Sequence, residues 1–230
     1  MSFHATVLWR SFPVVFLVGL IASSAAFGQL KDAQGNVIAP IAFVNQEAIT
    51  TSFVQAPNLN TDTNISAPTE PAQWLKVEFH YGTTPVVTSA YPYVDSAEFK
   101  VWIEGLDLFA KDAPVPGKGV AVVLTGSVTY VNIPMGKDIY GVFYVHPSTL
   151  ARYSSDRGYE DFDRKFDIHI EAYVGGVLVD EINKNKEDDP LKWFQPLKPI
   201  PGLVYRQDQC PFLVSNPDRY PMIKPPASAQ

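Results

Sequence analysis

Trp74-Leu75-Lys76-Val77-Glu78-Phe79-His80-Tyr81 decides the fold class. Leu75, Val77, Phe79 and Tyr81 alternate with Trp74, Lys76, Glu78 and His80. An extended chain sends successive side chains to opposite faces, so this period of two predicts a half-buried strand. Residues 98–104 repeat the pattern, with Phe99, Val101 and Ile103 on one face and Glu98, Lys100, Trp102 and Glu104 on the other. Residues 119–133 are nearly continuous in Val, Leu, Thr and Tyr, long enough for a strand that bends or changes sheets at Gly126. Pro134-Met135-Gly136 reads as a turn, with proline at the first corner and a positive φ at the glycine. Residues 139–145 are apolar on both faces, as a central strand requires, and residues 147–153 fit one helical turn that starts on proline.

The strongest hairpin signal is Gly175-Gly176 between two alternating runs, because a primed two-residue turn needs positive φ. Such a turn sets Val174 opposite Val177 and Ala172 opposite Val179. The next inward pair would place Ile170 against Glu181, so a bulge or break is expected there. No helical pattern of ten residues occurs. The predicted fold is an all-β, immunoglobulin-like β-sandwich of about seven strands, without the disulfide of antibody domains.

Outward from this body the composition changes. Residues 1–28 hold Arg10, then an apolar run from Phe12 to Ala22, then small residues ending at Gly28, the pattern of a secretory signal peptide. The run is short of the roughly 20 apolar residues of a membrane span, so no integral span is expected after cleavage. The protein is expected to be exported, to the periplasm or cell surface. Residues 29–71 read as an extended arm or linker, with a short strand at 48–54, and residues 56–72 are rich in Pro, Asn, Thr and Ser. The sandwich is expected over residues 72–205, and residues 206–230 form a proline-rich tail that packs partly over it.

The chain has 230 residues and a formal net charge of −6. Loss of Arg10 with the signal leaves 17 basic against 24 acidic residues, −7. An acidic surface of mixed sign argues against nucleic acid as a partner. Cys210 is the only cysteine, so no intramolecular disulfide forms, and a buried, inert thiol is expected.

Each candidate site competes with a plainer reading. Glu78-x-His80 and His169-x-Glu171 put a carboxylate and an imidazole on one face of each strand, and neighbouring strands would bring four metal-ligating groups together. Solvated outer faces are the better reading, so no metal and no cofactor are assigned. Asp156, Glu160, Asp161 and Asp163 fall in one loop, but Arg157 lies among them and the spacing fits no calcium loop. Asn64-Ile65-Ser66 is formally a glycosylation sequon. Trp74 and Trp102 lie in phase with the charged faces and are the candidate binding residues, able to stack on sugars or anchor a protein; the alternative is burial under the arm or tail. Trp193-Phe194 is expected to plug one end of the sandwich. No nucleophile elbow, zincin motif or phosphate loop is present, so no catalytic residue is assigned.

The strand Trp74–Tyr81, with Phe99-Lys100-Val101-Trp102-Ile103-Glu104-Gly105-Leu106 and Gly141-Val142-Phe143-Tyr144-Val145-His146-Pro147, resembles a group of exported immunoglobulin-like proteins of verrucomicrobial bacteria encoded beside type IV pilus assembly genes. The resemblance covers roughly residues 72–205. It implies a non-enzymatic envelope role, oligomeric and pilus-associated, with envelope or pilus proteins or further copies of the chain as partners. A pilin keeps its apolar helix, whereas the exit of small residues here follows the apolar run. An accessory component is therefore expected rather than a pilin subunit. A carbohydrate-binding module using the two tryptophans is the alternative, with a glycan as partner.

Overall fold

The computed structural model describes residues 39–57, 72–84, 93–153, 166–185 and 192–225, apart from residues 46, 108, 112, 114, 116, 117 and 217. The signal segment, the sequon and the acidic loop at 156–163 lie outside the described residues.

Eleven strands occur among the described residues: β1 (Ile41–Phe43), β2 (Ile49–Gln55), β3 (Gln73–Thr83), β4 (Tyr93–Asp107), β5 (Val120–Pro134), β6 (Gly136–Val145), β7 (Ile168–Val174), β8 (Val177–Lys184), β9 (Lys198–Pro201), β10 (Val204–Tyr205) and β11 (Met222–Ile223). One helix, α1 (Pro147–Tyr153), follows β6. The first sheet runs β1-β3-β6-β10, with β2 also on β3; the second runs β11-β5-β4-β7-β8, with β9 also on β5. The inward rows Leu75, Val77, Phe79, Tyr81 and Phe99, Val101, Ile103 are at most 1% exposed, as alternation requires. They meet at Phe99, whose ring centroid lies 4.8 Å from those of both Phe79 and Tyr81. The fold is an all-β sandwich.

The body starts earlier than Trp74. β1 and β2 together pair along β3, from Thr83 to Gln73, and Ile41, Ala48 and Ile49 are buried. This part of the expected arm is an edge strand of the sandwich. Its Phe43 N–H donates to Asp180 Oδ2 of β8 at 2.7 Å, and Lys184 Nζ donates to Thr51 Oγ1 at 2.8 Å, pinning the sheets along that edge. At the opposite edge the chain itself crosses. β9 runs parallel to β5, and after Gly202 the chain joins the first sheet as β10 beside Val145 and Tyr144. Val204 lies where a Cβ on Gly126 would sit, 2.9 Å from its own Cβ. Gly126 therefore marks a close approach, and β5 stays in one sheet along its length. The Tyr130 hydroxyl on β5 accepts the Val142 N–H of β6 at 3.0 Å, satisfying a buried strand donor.

Two turn expectations sharpen. Pro134-Met135-Gly136 does join β5 to β6, but the left-handed residue is Asn132, φ 52°, and not Gly136. In the β7–β8 hairpin Gly175 and Gly176 have φ of 59° and 79°, and Val174 faces Val177. The bulge lies nearer the turn than Ile170. Tyr173 pairs with Leu178 and Ala172 with Asp180, so Val179 is the extra residue. That one-residue shift sets Ile170 against Ile182 and keeps both in the core, since a slip by one turns every later side chain to the other face.

Candidate interaction surfaces

Both outer sheet faces are covered in part, each around a buried carboxylate. On the first sheet Trp74, Lys76, Glu78 and His80 point outward from β3, as alternation predicts. After β10 the chain turns back over them. Two 3-10 turns, Gln207–Gln209 and Pro211–Val214, are held by Gln207 Nε2, which donates to the carbonyls of Phe212 and Ser215 at 3.1 and 2.8 Å. Phe212 stacks on Tyr144 with centroids 4.5 Å apart and meets Trp74 edge-on at 5.6 Å. Tyr205 and His146 close the other sides of the indole. Trp74 is 8% exposed, so this candidate lies under the tail.

Beyond Phe212 the strap reaches Glu78. Arg219 donates two hydrogen bonds to its carboxylate at 3.0 and 2.6 Å, Tyr220 donates one at 2.6 Å, and Lys76 Nζ stands 2.6 Å away. Burial raises the Glu78 carboxyl, but the hydrogen bonds from Arg219, Lys76 and Tyr220 together outweigh it and bring the group to about 2. A carboxyl lowered on folding stabilises the fold fully above its unfolded value near 4.5 and loses that stabilisation as pH falls toward 2. Wild-type protein is therefore expected to lose more stability than Glu78→Gln across that window, read as urea midpoints at stepped pH. Parallel acid limbs in the two proteins would refute this role. β11 then pairs with Val131 and Tyr130, and Lys224 N–H donates to the Thr129 carbonyl at 2.8 Å. The tail is thus a strap from one sheet to the other.

Cys210 is half-buried within the strap; its thiol donates to the Gln207 carbonyl at 3.3 Å, and burial pushes it up to about 11. A thiol in that state is a weak nucleophile at neutral pH.

On the second sheet Lys192–Leu197 lies across the outward side of β4 and β7. Phe194 stacks on Trp102 at 4.6 Å and on His169 at 4.6 Å, and Trp193 and Phe194 cluster with Val123. These two aromatics therefore cover a sheet face; they do not plug an end of the sandwich. Trp102 remains partly exposed and lines a cleft of about 720 Å³ with Lys100, Ser127, Tyr205, Arg206 and Gln209.

The two His/Glu pairs lie in different sheets and do not converge. His80 stays near the surface, stacked on Tyr140 at 4.5 Å with Nε2 3.0 Å from the Lys137 carbonyl oxygen. The solvated reading fails for Glu78, which the strap covers, and for both members of the other pair: His169 is 1% and Glu171 4% exposed. The Lys192 ammonium bridges Glu171 Oε1 at 2.5 Å and Glu181 Oε2 at 3.0 Å, and Tyr173 donates to Glu171 Oε2. Burial raises the Glu171 carboxyl, but the adjoining His169 ring and the hydrogen bonds from Lys192 and Tyr173 outweigh it and hold it at about 2. Glu181 escaped the sequence reading because only the bulge at Val179 brings it opposite Glu171.

Among the described residues no helix is long and apolar enough to cross a membrane. No curated protein matches the sequence significantly. A solved structure from Akkermansia muciniphila, a verrucomicrobial bacterium, superposes with a TM-score of 0.64 at 22% identity, covering 81% of this chain and 93% of that one. At that identity the likeness speaks for the fold. One protein-family model matches residues 40–227, from the start of β1 through the strap. That span exceeds the 72–205 of the sequence resemblance on both sides, in keeping with β1, β2 and the strap being parts of one sandwich. The chain belongs to the family defined by that model, built on the two-sheet fold it shares with the Akkermansia muciniphila protein.

Proposed function

We propose that this chain is an exported, non-enzymatic envelope protein that works by contact, as a pilus-associated or assembly component or by association with further copies of itself. The observation that carries this reading is the strap. It is fastened to the body by Phe212, Arg219 and Tyr220, yet leaves Leu213, Val214 and Met222 exposed by 57%, 61% and 59%. Large apolar side chains held outward on a fixed segment suit burial by a partner. The signal-like amino terminus and the verrucomicrobial resemblance support an envelope setting. A photo-crosslinking residue at Leu213 or Met222, activated in intact cells, is expected to capture envelope-assembly proteins or a second copy of the chain. Capture no greater than from a site on an exposed sheet-face lysine such as Lys137 would overturn the reading.

A second reading rests on the cleft beside Trp102, where an aromatic face and the polar groups of Lys100, Ser127, Arg206 and Gln209 line one concavity. Carbohydrate sites combine these features. On a glycan array, binding that Trp102→Ala abolishes and Trp74→Ala leaves intact would support it. Binding indifferent to Trp102 would retire it.

A further inference from the structure

We infer that His169, Glu171 and Glu181 form a binding site for a zinc-like divalent cation, in which the Lys192 ammonium serves as an internal, displaceable counter-ion. Three side chains from the β7–β8 hairpin converge there. His169 Nε2 lies 3.5 Å from Glu171 Oε1 and 3.7 Å from Glu181 Oε2. Ligand atoms at the corners of a tetrahedron with bonds of about 2.0–2.1 Å stand about 3.4 Å apart, so both edges from His169 come close to that spacing, and the three ligand atoms all lie within 4.8 Å of one another.

The state of the imidazole adds an independent argument. Asn183 Oδ1 receives the Trp193 Nε1–H at 3.3 Å, and an indole nitrogen can only donate, so the atom it reaches is the amide oxygen. His169 Nδ1, 2.7 Å from that same oxygen, must therefore carry its proton. In the neutral ring this leaves a lone pair on Nε2. That atom is buried, has no hydrogen-bond partner and is directed at two carboxylate oxygens. A lone pair facing two anions is unfavourable unless a cation stands between them. An outer carbonyl fixing the tautomer of a ligating histidine is the usual support of a metal-bound imidazole.

Lys192 shows that a cation fits. Its Nζ bridges the same two oxygens that His169 faces. It supplies one positive charge against two carboxylates, whereas a divalent ion would balance both and also engage the lone pair. The Glu181 and Lys192 side chains are 45% and 23% exposed, which gives the ion an entry and the displaced ammonium an exit to solvent. One nitrogen and two oxygens suit a borderline divalent ion, and the fourth position is left for water.

The test uses the untagged full chain, stripped with chelator and dialysed against zinc alone. One equivalent of bound zinc is expected by elemental analysis, and cobalt in its place should give the intense visible bands of a tetrahedral site. Glu181→Gln should weaken zinc binding at least about tenfold, and Lys192→Met, which removes the competing cation, should tighten it several-fold. Zinc held equally by wild type and Glu181→Gln would be surface binding and would overturn the proposal, as would no zinc bound at neutral pH. Should Glu181→Gln fail to fold, Lys192→Met decides: unchanged affinity overturns the site.

Discussion

A chain ending at Tyr205 is expected to be at least about 4 kcal/mol less stable than the full chain. Phe212 and Tyr220 are 4% and 8% exposed, and burying an aromatic of that size contributes about 1.5–3 kcal/mol each. Truncation also bares Trp74 and Tyr144, whose outer faces Phe212 covers. Glu78 keeps Lys76 but loses three charge-assisted or hydroxyl hydrogen bonds, two from Arg219 and one from Tyr220. Breaking such contacts while the carboxylate stays on a half-covered face adds to the loss. Domains of this kind are stable by about 5–15 kcal/mol, so the truncated chain should be marginal at room temperature. Urea unfolding followed by tryptophan emission checks it, with a lower midpoint and a red-shifted native spectrum expected as Trp74 meets water. A midpoint equal to that of the full chain would mean that the strap is ornamental to the fold, and the boundary at residue 205 would stand.

The second large effect is expected from the smallest change, Gly141→Ala on β6, at about 3 kcal/mol. Gly141 lies directly opposite Phe79 across the β3–β6 ladder. A Cβ built on it would fall 2.0 Å from Phe79 Cζ and 2.4 and 2.7 Å from the adjacent ring carbons. The ring cannot retreat. Phe79 is fully buried, with Phe99, Phe143 and Tyr81 centred 4.8, 5.7 and 5.9 Å away. A close-packed interior transmits such a displacement to every neighbour. Here the aromatic covers the glycine backbone across the strand pair, an arrangement that also fixes register. The shorter Phe79→Leu is expected to recover part of the loss when combined with Gly141→Ala, so the double variant should beat the sum of the singles by about 1 kcal/mol or more. Additive melting behaviour would show that the clash relaxes by backbone shift instead.

What could be read without the structure had a local cause. Alternation in residues 74–81 and 98–104 dictates which side chains turn inward, and those rows are the core. Gly175-Gly176 fixes a turn because few residues tolerate positive φ twice in succession. The proline start of α1 follows from φ already being set. The conflict of Ile170 with Glu181 was legible too, although the bulge that resolves it sits at Val179.

What only the tertiary structure decided involves surfaces brought together from distant parts of the chain. Period two says that Trp74, Glu78, His169 and Glu171 point away from the core; it cannot say what lies over them. The strap and the Lys192–Leu197 segment do, because an aromatic or a charge on an outer face becomes buried when a segment more than a hundred residues away, in the case of Tyr220 on Glu78, returns to cover it. Pro-rich composition announces an extended chain and is silent on where it docks. Glu181 joined His169 and Glu171 through a one-residue register shift, which depends on packing Ile182 into the core on the opposite face and not on the ligand-bearing side chains themselves. The sequence by itself determined the seven longer strands β2–β8, the inward rows and the hairpin, since those follow from backbone geometry and side-chain alternation; the short strands β1 and β9–β11 carry no such alternation. The tertiary structure decided the sheet partners, the covered faces and the three-residue cluster, since those depend on which distant surfaces exclude water together.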